Sequence, residues 1–512
     1  MSLSNTFKYA LLATLAIKLI LAYVIPMSGD EAYFIIWAKH LDFGYYDHPP
    51  MVGWFLHVML YLGSSEVILR LPAILTSIVI GAGIFRLLKP LDEDKAALIA
   101  TLFLLSPINL LNVLVTTDTP LILFAFFSMA ALYKALQQDK SGWYALSGAF
   151  FGMAFLSKYF AVLLGLSYLV YFIFSANNRK KTGGFALLYL TSLPFALLNI
   201  YWNYTHCWDN ILFNLYTRNE GAQFSVSTVA AFLGVQLYLM TPPLVWYIYK
   251  NRAAFWQKIK RDQFQVFLFI FVVPMAVFAL LSLKKSVGLH WVLAFYPALY
   301  LLIFQLLPRV ELEKMLKFML GFSALHLLAI LIIAALPMET WKSNKLYGGI
   351  VFMFEPEKIA EIVRPYEQQN FLLATDGYSP SATISYHYGK EFFVFGEGGL
   401  HARQDDMLTD FREFKSRNIL ILSKSEPNMQ EYTPYFKRVE TQTFTVREAS
   451  FYLVLGYDFN YEQYRDGVLR PIKDKYYRIP SWLPHAPCYF CDKYFPGECS
   501  AALKPDNSLG LK

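Results

Sequence analysis

Long apolar stretches recur through the first two thirds of this chain, and such a stretch has few places to go. An α-helix needs about 20 consecutive apolar residues to cross the hydrocarbon core of a bilayer, and in lipid only helices and closed barrels satisfy their own backbone. Stretches of that kind occupy 7–25, 66–88, 95–115, 119–136, 184–202, 226–249, 264–283, 289–307 and 315–336. Composition points the same way: of 512 residues, 56% are hydrophobic and 16% charged, fewer charges than a soluble globular chain carries. The expected fold is a polytopic α-helical membrane protein.

One further run, 143–174, is too long for a single span, since its roughly 32 residues would make a helix of about 48 Å. Lys158 interrupts it near the middle, so two short helices are expected, for about eleven spans in all. Basic residues test that count, because Lys- and Arg-rich short loops stay in the cytoplasm. Lys8, Arg86, Lys89, Lys95, Lys134, Lys140, Arg179, Lys180, Lys181, Lys250, Arg252, Lys258, Lys260, Arg261, Arg309, Lys314 and Lys317 then fall on one side. A single span over 143–174 would put Arg179 to Lys181 on the other side. The N-terminus is therefore expected in the cytoplasm, the first span as an uncleaved anchor, and residues 338–512 outside. The net charge of +7 is absorbed by these loops and calls for no nucleic acid.

Past Leu336 the pattern becomes that of a soluble α/β domain over roughly 350–460. FLLAT (371–375), EFFVF (391–395), NILIL (418–422) and SFYLVLGY (450–457) read as strands, and DDMLTDFREFKSR (405–417) has helical spacing. A Tyr- and Pro-rich arm runs on to Cys499, and the last dozen residues read as disordered. The expected domains are a membrane domain, 1–337, with interfacial helices in its first outside loop (28–63), and an extracytoplasmic α/β domain with its arm, 338–512. Cys207, Cys488, Cys491 and Cys499 all lie on the oxidising side, which favours disulfides over a zinc site that would include His485. The connectivity stays open.

The chemistry-bearing residues gather in the outside loops. The first, SGDEAYFIIWAKHLDFGYYDHPP (28–50), carries Asp30 and Glu31 before a helix over Glu31 to Leu41, and Asp47 and His48 before a Pro-Pro stop that can open a second helix over Met51 to Leu62. Other loops add Asp118 in TTDTP, Lys158 between half-length helices, His206 in NYTHCWDN, and Lys284, Lys285 and His290 in KKSVGLHW. Ionisable groups at membrane depth cost free energy unless they are used or paired.

With Asp30-Glu31, GYYDHPP, TTDTP, LSKYF and WNYTHCW taken together, residues 1–340 resemble the GT-C type membrane glycosyltransferases. Within them, the nearest likeness is to the protein O-mannosyltransferase and lipid A aminoarabinose transferase superfamily (glycosyltransferase family 39/83-like). The resemblance implies a polyprenyl-phosphate-linked sugar donor, a lipid or glycan acceptor such as lipid A, and a site facing the periplasm from a bacterial inner membrane. An inverting displacement needs a carboxylate to take or orient the acceptor's proton and cations for the leaving phosphate. The resemblance assigns Asp30 as base, with Glu31 and Asp118 beside it. For the donor phosphate the residues themselves suggest Lys158, costly inside an apolar run unless it meets an anion, and Lys284 and Lys285, basic against the positive-inside bias, with His48 and His290. For a possible divalent metal the resemblance implies Asp47, which His206 would complete. His48 stands where the aminoarabinose branch carries Lys. Each residue has a plainer reading: Glu31 as an acid favoured at a helix N-terminus, Asp118 as a helix cap, Lys158 reaching lipid headgroups, and His206 simply hydrogen-bonded. Trp202, Trp208 and Trp291 read as interface anchors. Transfer to Ser or Thr hydroxyls of exported proteins, a lipid or sugar transporter, and an envelope scaffold remain as alternatives.

Overall fold

A computed structural model describes residues 3–175, 181–219, 223–253 and 264–498. Arg179, Lys180, Lys258, Lys260, Arg261, Cys499 and the chain end lie outside the described residues. The chain forms two compact units, neither continuous in sequence. One is Met1–Ile25, Pro49–Leu198 and Gly221–Ala335; the other is Pro26–His48, Asn199–Glu220 and Leu336–Lys512.

The first unit is helical throughout. Among the described residues seven helices are long and apolar enough to cross a membrane, or eight if the pair Val226–Met240 and Pro242–Lys250, bent by 83°, is one span. The remaining expected spans are shorter helices, and the sequence explains each break. Residues 143–174 divide into Ser141–Phe155 and Val162–Phe174, with Lys158 extended at the junction (φ −164°, ψ 141°) ahead of a 3₁₀ turn at Tyr159–Ala161. Pro107 opens a short helix directly after Glu93–Leu105. The sharp bend follows Thr241, held at φ +66° before Pro242 and Pro243. The last helix, Arg309–Ala335, starts before the expected 315; Arg309, Lys314 and Lys317 belong to it, because charge ends an apolar window without ending a helix.

Helices here approach closely where side chains are small, as lipid-embedded packing requires. A Cβ on Gly148 would sit 1.9 Å from the Leu188 carbonyl oxygen, so the helix Ser141–Phe155 rests almost directly on Thr182–Thr205. Beside it the Ser128 hydroxyl bonds Ser147 O at 2.9 Å and the Tyr168 hydroxyl at 2.8 Å. Two buried cations that the span reading passed over also bind helices together. Lys18 donates to Ala73 O (3.0 Å), Ser77 Oγ (2.7 Å) and Asn109 O (3.2 Å), and Arg70 donates to Ala22 O (2.9 Å) and Ile25 O (2.5 Å).

The second unit is built on a five-stranded sheet in the order β2-β1-β3-β5-β4: β1 Leu372–Thr375, β2 Phe393–Val394, β3 Ile419–Ser423, β4 Phe436–Val446 and β5 Ala449–Phe459. β2, β1 and β3 run parallel, and β5 lies antiparallel between β3 and β4. The four apolar runs became β1, β2, β3 and β5. β4 escaped notice because most of its side chains are exposed, as suits an edge strand, and its hairpin turns at Arg447 and Glu448, both at positive φ. The expected helix over 405–417 is instead Arg403–Leu408 followed by a 3₁₀ turn at Phe411–Phe414. Asp410 breaks the run, its carboxylate accepting the Arg412 N–H at 3.0 Å. The parallel pairing of β1 with β2 needs a crossover, which the helix Tyr378–Tyr388 supplies.

Residues 26–48 and 199–218 pack into this unit through large buried aromatics. Trp37 stacks on Tyr45 at 4.4 Å, and Trp202 lies against Gly44, where a Cβ would come within 2.4 Å of the indole. A disulfide joins Cys207 to Cys488, and Cys491 is also disulfide-bonded.

Candidate functional site

In the second unit the first-loop acids meet residues from the tail. The helix Gly29–Lys39 starts two residues earlier than expected because Ser28 caps it. Ser28 Oγ accepts the Glu31 N–H at 3.2 Å, and the Glu31 carboxylate accepts the Ser28 N–H at 3.2 Å. This is a capping box, and Glu31 is 3% exposed; its plainer reading is the one its contacts support. Asp30 is exposed and accepts a hydrogen bond from the Tyr378 hydroxyl at 3.2 Å. Neighbouring Gly29 leaves no room for a side chain, since a Cβ would stand 1.9 Å from Ser379 Oγ.

Asp47 is 2% exposed and receives the His401 Nδ1–H on Oδ2 at 2.7 Å. Burial pushes the Asp47 carboxyl up, but the hydrogen bond from His401 and the charges of His48 and His401 outweigh burial and hold it below the usual carboxylate range. The Tyr33 hydroxyl donates to His401 O at 3.0 Å. The Tyr378 ring lies 5.1 Å from Tyr33 and 5.3 Å from the His401 imidazole. Burial first, then the Asp30 charge, pushes the Tyr378 phenol up. Asp30, Tyr378, His401 and Asp47 thus form one connected cluster. His48 has its ring 6.3 Å from that of Trp37.

His206 takes a different partner from Asp47. Its ring stacks on Trp202 at 4.4 Å, and its Nε2 lies 3.6 Å from Asp42 Oδ2. Among the described residues no three His, Cys, Asp or Glu side chains are grouped to hold a metal ion. The tryptophans expected as interface anchors are core residues instead: Trp202, Trp208 and Trp291 are 1%, 6% and 7% exposed. Each is enclosed by neighbours, Trp208 with its indole N–H on Pro484 O at 3.0 Å.

The first unit holds a second cluster. Lys158 Nζ donates to Asp118 Oδ2 at 2.7 Å, with the two side chains 5% and 4% exposed. His290 Nε2 lies 3.9 Å from the same oxygen, and Lys158 faces the Phe160 ring at 5.4 Å. Asp118 opens the helix Asp118–Gln138 but does not cap it: its Oδ2 meets Lys158, and its Oδ1 is buried with no hydrogen-bond partner among the described residues. The turn is built by Thr116 and Thr119, Thr116 N–H donating to Thr119 Oγ1 at 3.2 Å and Asp118 N–H to Thr116 Oγ1 at 3.3 Å. Lys284 and Lys285 occupy the turn after the helix Gln265–Ser282, their N–H groups bonded to Leu281 O; Lys284 is exposed and Lys285 half-buried.

The structure therefore joins Asp118, Lys158 and His290, and separately adds Tyr378 and His401 to Asp30 and Asp47. Neither addition had a signal in the sequence, where 348 residues separate Tyr378 from Asp30 and 354 separate His401 from Asp47.

Residues 47–202 match the family described as dolichyl-phosphate-mannose-protein mannosyltransferase. ArnT from Cupriavidus metallidurans superposes on 88% of this chain and 98% of its own, with TM-scores of 0.63 for its apo state and 0.64 for its complex with undecaprenyl phosphate, at 15% sequence identity. The chain has the GT-C fold. Lipid A galacturonosyltransferase RgtD from Rhizobium johnstonii is 25% identical over 302 residues, which span 52% of this GT-C chain and 58% of that protein. The multi-pass membrane architecture expected from the apolar spans follows from this fold.

Proposed function

We propose that this GT-C protein transfers a sugar from a polyprenyl-phosphate-linked donor to an envelope acceptor, lipid A or another glycan, with inversion at the anomeric carbon. The buried Asp118–Lys158 pair carries the reading: a cation among membrane helices is costly, and here it is held by a carboxylate beside His290, a group suited to a lipid-borne phosphate. The relatives support the donor class, since ArnT binds undecaprenyl phosphate and RgtD is a lipid A sugar transferase.

In this reading the acceptor oxygen attacks the anomeric carbon as the bond to the phosphate oxygen breaks and the phosphate leaves with the electron pair. Asp30 takes the acceptor's proton; it is exposed and oriented by the Tyr378 hydroxyl. Lys158, with Lys284, Lys285 and His290, offers positive charge to the phosphate. The protein sits in a bacterial inner membrane with its N-terminus cytoplasmic and residues 338–512 in the periplasm, a compartment where the Cys207–Cys488 bond persists. A Ser or Thr hydroxyl of an exported protein is the second acceptor class, favoured by the family match over residues 47–202.

Mass spectrometry of lipid A, surface glycans and periplasmic proteins tests this in wild-type cells, a deletion strain, and the deletion complemented with Asp30→Asn. A sugar-sized mass lost on deletion and restored only by the wild-type gene is the expected result. No mass difference in any fraction would move the assignment to transport or scaffolding.

A further inference from the structure

In the second unit β1 and β3 lie side by side and run parallel, yet the chain leaves them toward opposite faces of the sheet. After β1 it enters the crossover helix Tyr378–Tyr388, whose Ile384 shares a core with Leu373, Leu420 and Leu422. After β3 it turns to the other face, where Tyr432 shares a core with Ala374, Ile419 and Ile421. Neighbouring parallel strands whose continuations part in this way leave a gap at their carboxyl ends, and open α/β sheets bind ligands there. A fold rule gives only the place; the side chains at that place must supply the chemistry.

Asp376 follows β1, and Ser423 ends β3 with Lys424 and Ser425 after it. The Ser423 hydroxyl donates to Asp376 Oδ2 at 2.6 Å and accepts the Ser425 N–H at 3.1 Å, which ties the two strand ends together. Asp376 Oδ1 accepts no hydrogen bond among the described residues. Lys424 is half-buried with its Nζ 5.5 Å from the Phe352 ring, and among the described residues it makes no hydrogen bond or ion pair. Burial pushes the Lys424 ammonium down, and the Asp376 charge acts against that. Burial and then the same charge push the Tyr432 phenol up to about 12.

One sheet end therefore presents a carboxylate oxygen that can only accept and an amine whose N–H groups donate. Adjacent hydroxyls of a sugar ring satisfy both, one donating and the other accepting. Two residues beyond Asp376, the Tyr378 hydroxyl donates to Asp30 at 3.2 Å, so a ring held at this sheet end lies beside the proposed base. We propose that Asp376 and Lys424 bind the sugar headgroup of the acceptor, one ring hydroxyl donating to Asp376 Oδ1 and its neighbour accepting from Lys424 Nζ. This rests on the sugar-transfer reading and names the acceptor within it as a glycolipid such as lipid A.

The test uses the purified full chain in detergent micelles and radiolabelled lipid A as probe, comparing wild type with Asp376→Asn and Lys424→Met. Asn keeps an oxygen for the Ser423 hydroxyl and Met keeps an apolar stem beside Phe352, so both variants are expected to retain the melting temperature and the Cys207–Cys488 bond. Lipid A binding is expected to weaken about tenfold or more in each, the loss of one hydrogen bond to a charged group. Lys424→Arg, which still donates, should keep most of it. Binding of radiolabelled undecaprenyl phosphate is expected to be unchanged. With undecaprenyl-phosphate-linked mannose, galacturonic acid or aminoarabinose, whichever is turned over, the acceptor KM should rise about tenfold with kcat near wild type, the pattern of a lost binding contact. No saturable lipid A binding by wild type, unchanged binding in either variant, or an equal loss of undecaprenyl phosphate binding overturns the headgroup site and leaves the sugar-transfer reading standing. Lipid A binding that depends on Asp376 and Lys424, without transfer of any of the three sugars, sinks the transfer reading and keeps the headgroup site.

Discussion

Breaking the Asp118–Lys158 pair from either side should destabilise the membrane unit far more than removing both partners. The two atoms are 2.7 Å apart with both side chains almost wholly enclosed, so the charge left behind by a single substitution has no solvent to turn to. Removing one partner of such a pair costs about 3–5 kcal/mol, whereas replacing both with apolar residues of similar volume is often close to neutral. Lys158→Met should sit at the upper end, because Asp118 Oδ1 already has no hydrogen-bond partner among the described residues and Oδ2 would lose its cation. His290 Nε2, 3.9 Å away and with its side chain 53% exposed, can recover part of that loss. Asp118→Leu leaves Lys158 Nζ beside the Phe160 ring at 5.4 Å, a contact worth about 2 kcal/mol at most when desolvated. Unfolding of purified protein in mixed micelles of increasing denaturing-detergent fraction gives the three free energies of the cycle. Two such single costs with a near-neutral double variant correspond to a coupling of about 6 kcal/mol or more, with the double variant more stable than either single one. Single variants within about 1 kcal/mol of wild type, adding without coupling, would match an exposed pair and refute a buried one.

The remaining expectations concern the second unit. Gly29→Ala should loosen the first-loop helix from the crossover helix, because its Cβ would stand 1.9 Å from Ser379 Oγ; a lower melting temperature and faster proteolysis near Asp30 are expected, and unchanged behaviour would contradict the packing. Burial pushes Asp405 up to about 7, so the folded state binds its proton more tightly than the unfolded chain does. Its contribution is full below the ordinary carboxylate range and is lost as pH rises from about 4 to 7. Asp405→Asn should flatten that decline in thermal melts of the full chain across the same window. Replacing Cys207 and Cys488 together with Ser should cost about 2–5 kcal/mol, and equal melting of wild type and variant under oxidising conditions would count against a structural disulfide.

Periodicity and composition determined what most stretches of this chain become, because those outcomes are set locally. Apolar runs had to span, Lys158 had to break 143–174, and four apolar runs had to pair as strands. The positions where the local signal failed are equally physical. β4 hid because an edge strand exposes most of its side chains. Residues 405–417 carried helical spacing, yet Asp410 caps a new turn within them. Lys18 and Arg70 passed as ordinary span residues because their backbone-carbonyl partners lie on other segments.

The chemistry divides along the same line. Asp30, Asp47, Asp118, Lys158 and His290 could be picked out from the sequence because charge beside apolar spans is costly and therefore conspicuous. Their partners could not. That Asp118 holds Lys158 instead of capping its helix, that His206 turns to Asp42, and that Tyr378 and His401 come from the tail to Asp30 and Asp47 all depend on contacts between residues tens to hundreds of positions apart. Local sequence sets the cost of a buried charge, but only the tertiary fold decides which group meets it, because that choice is made by packing across segments that share no sequence neighbourhood.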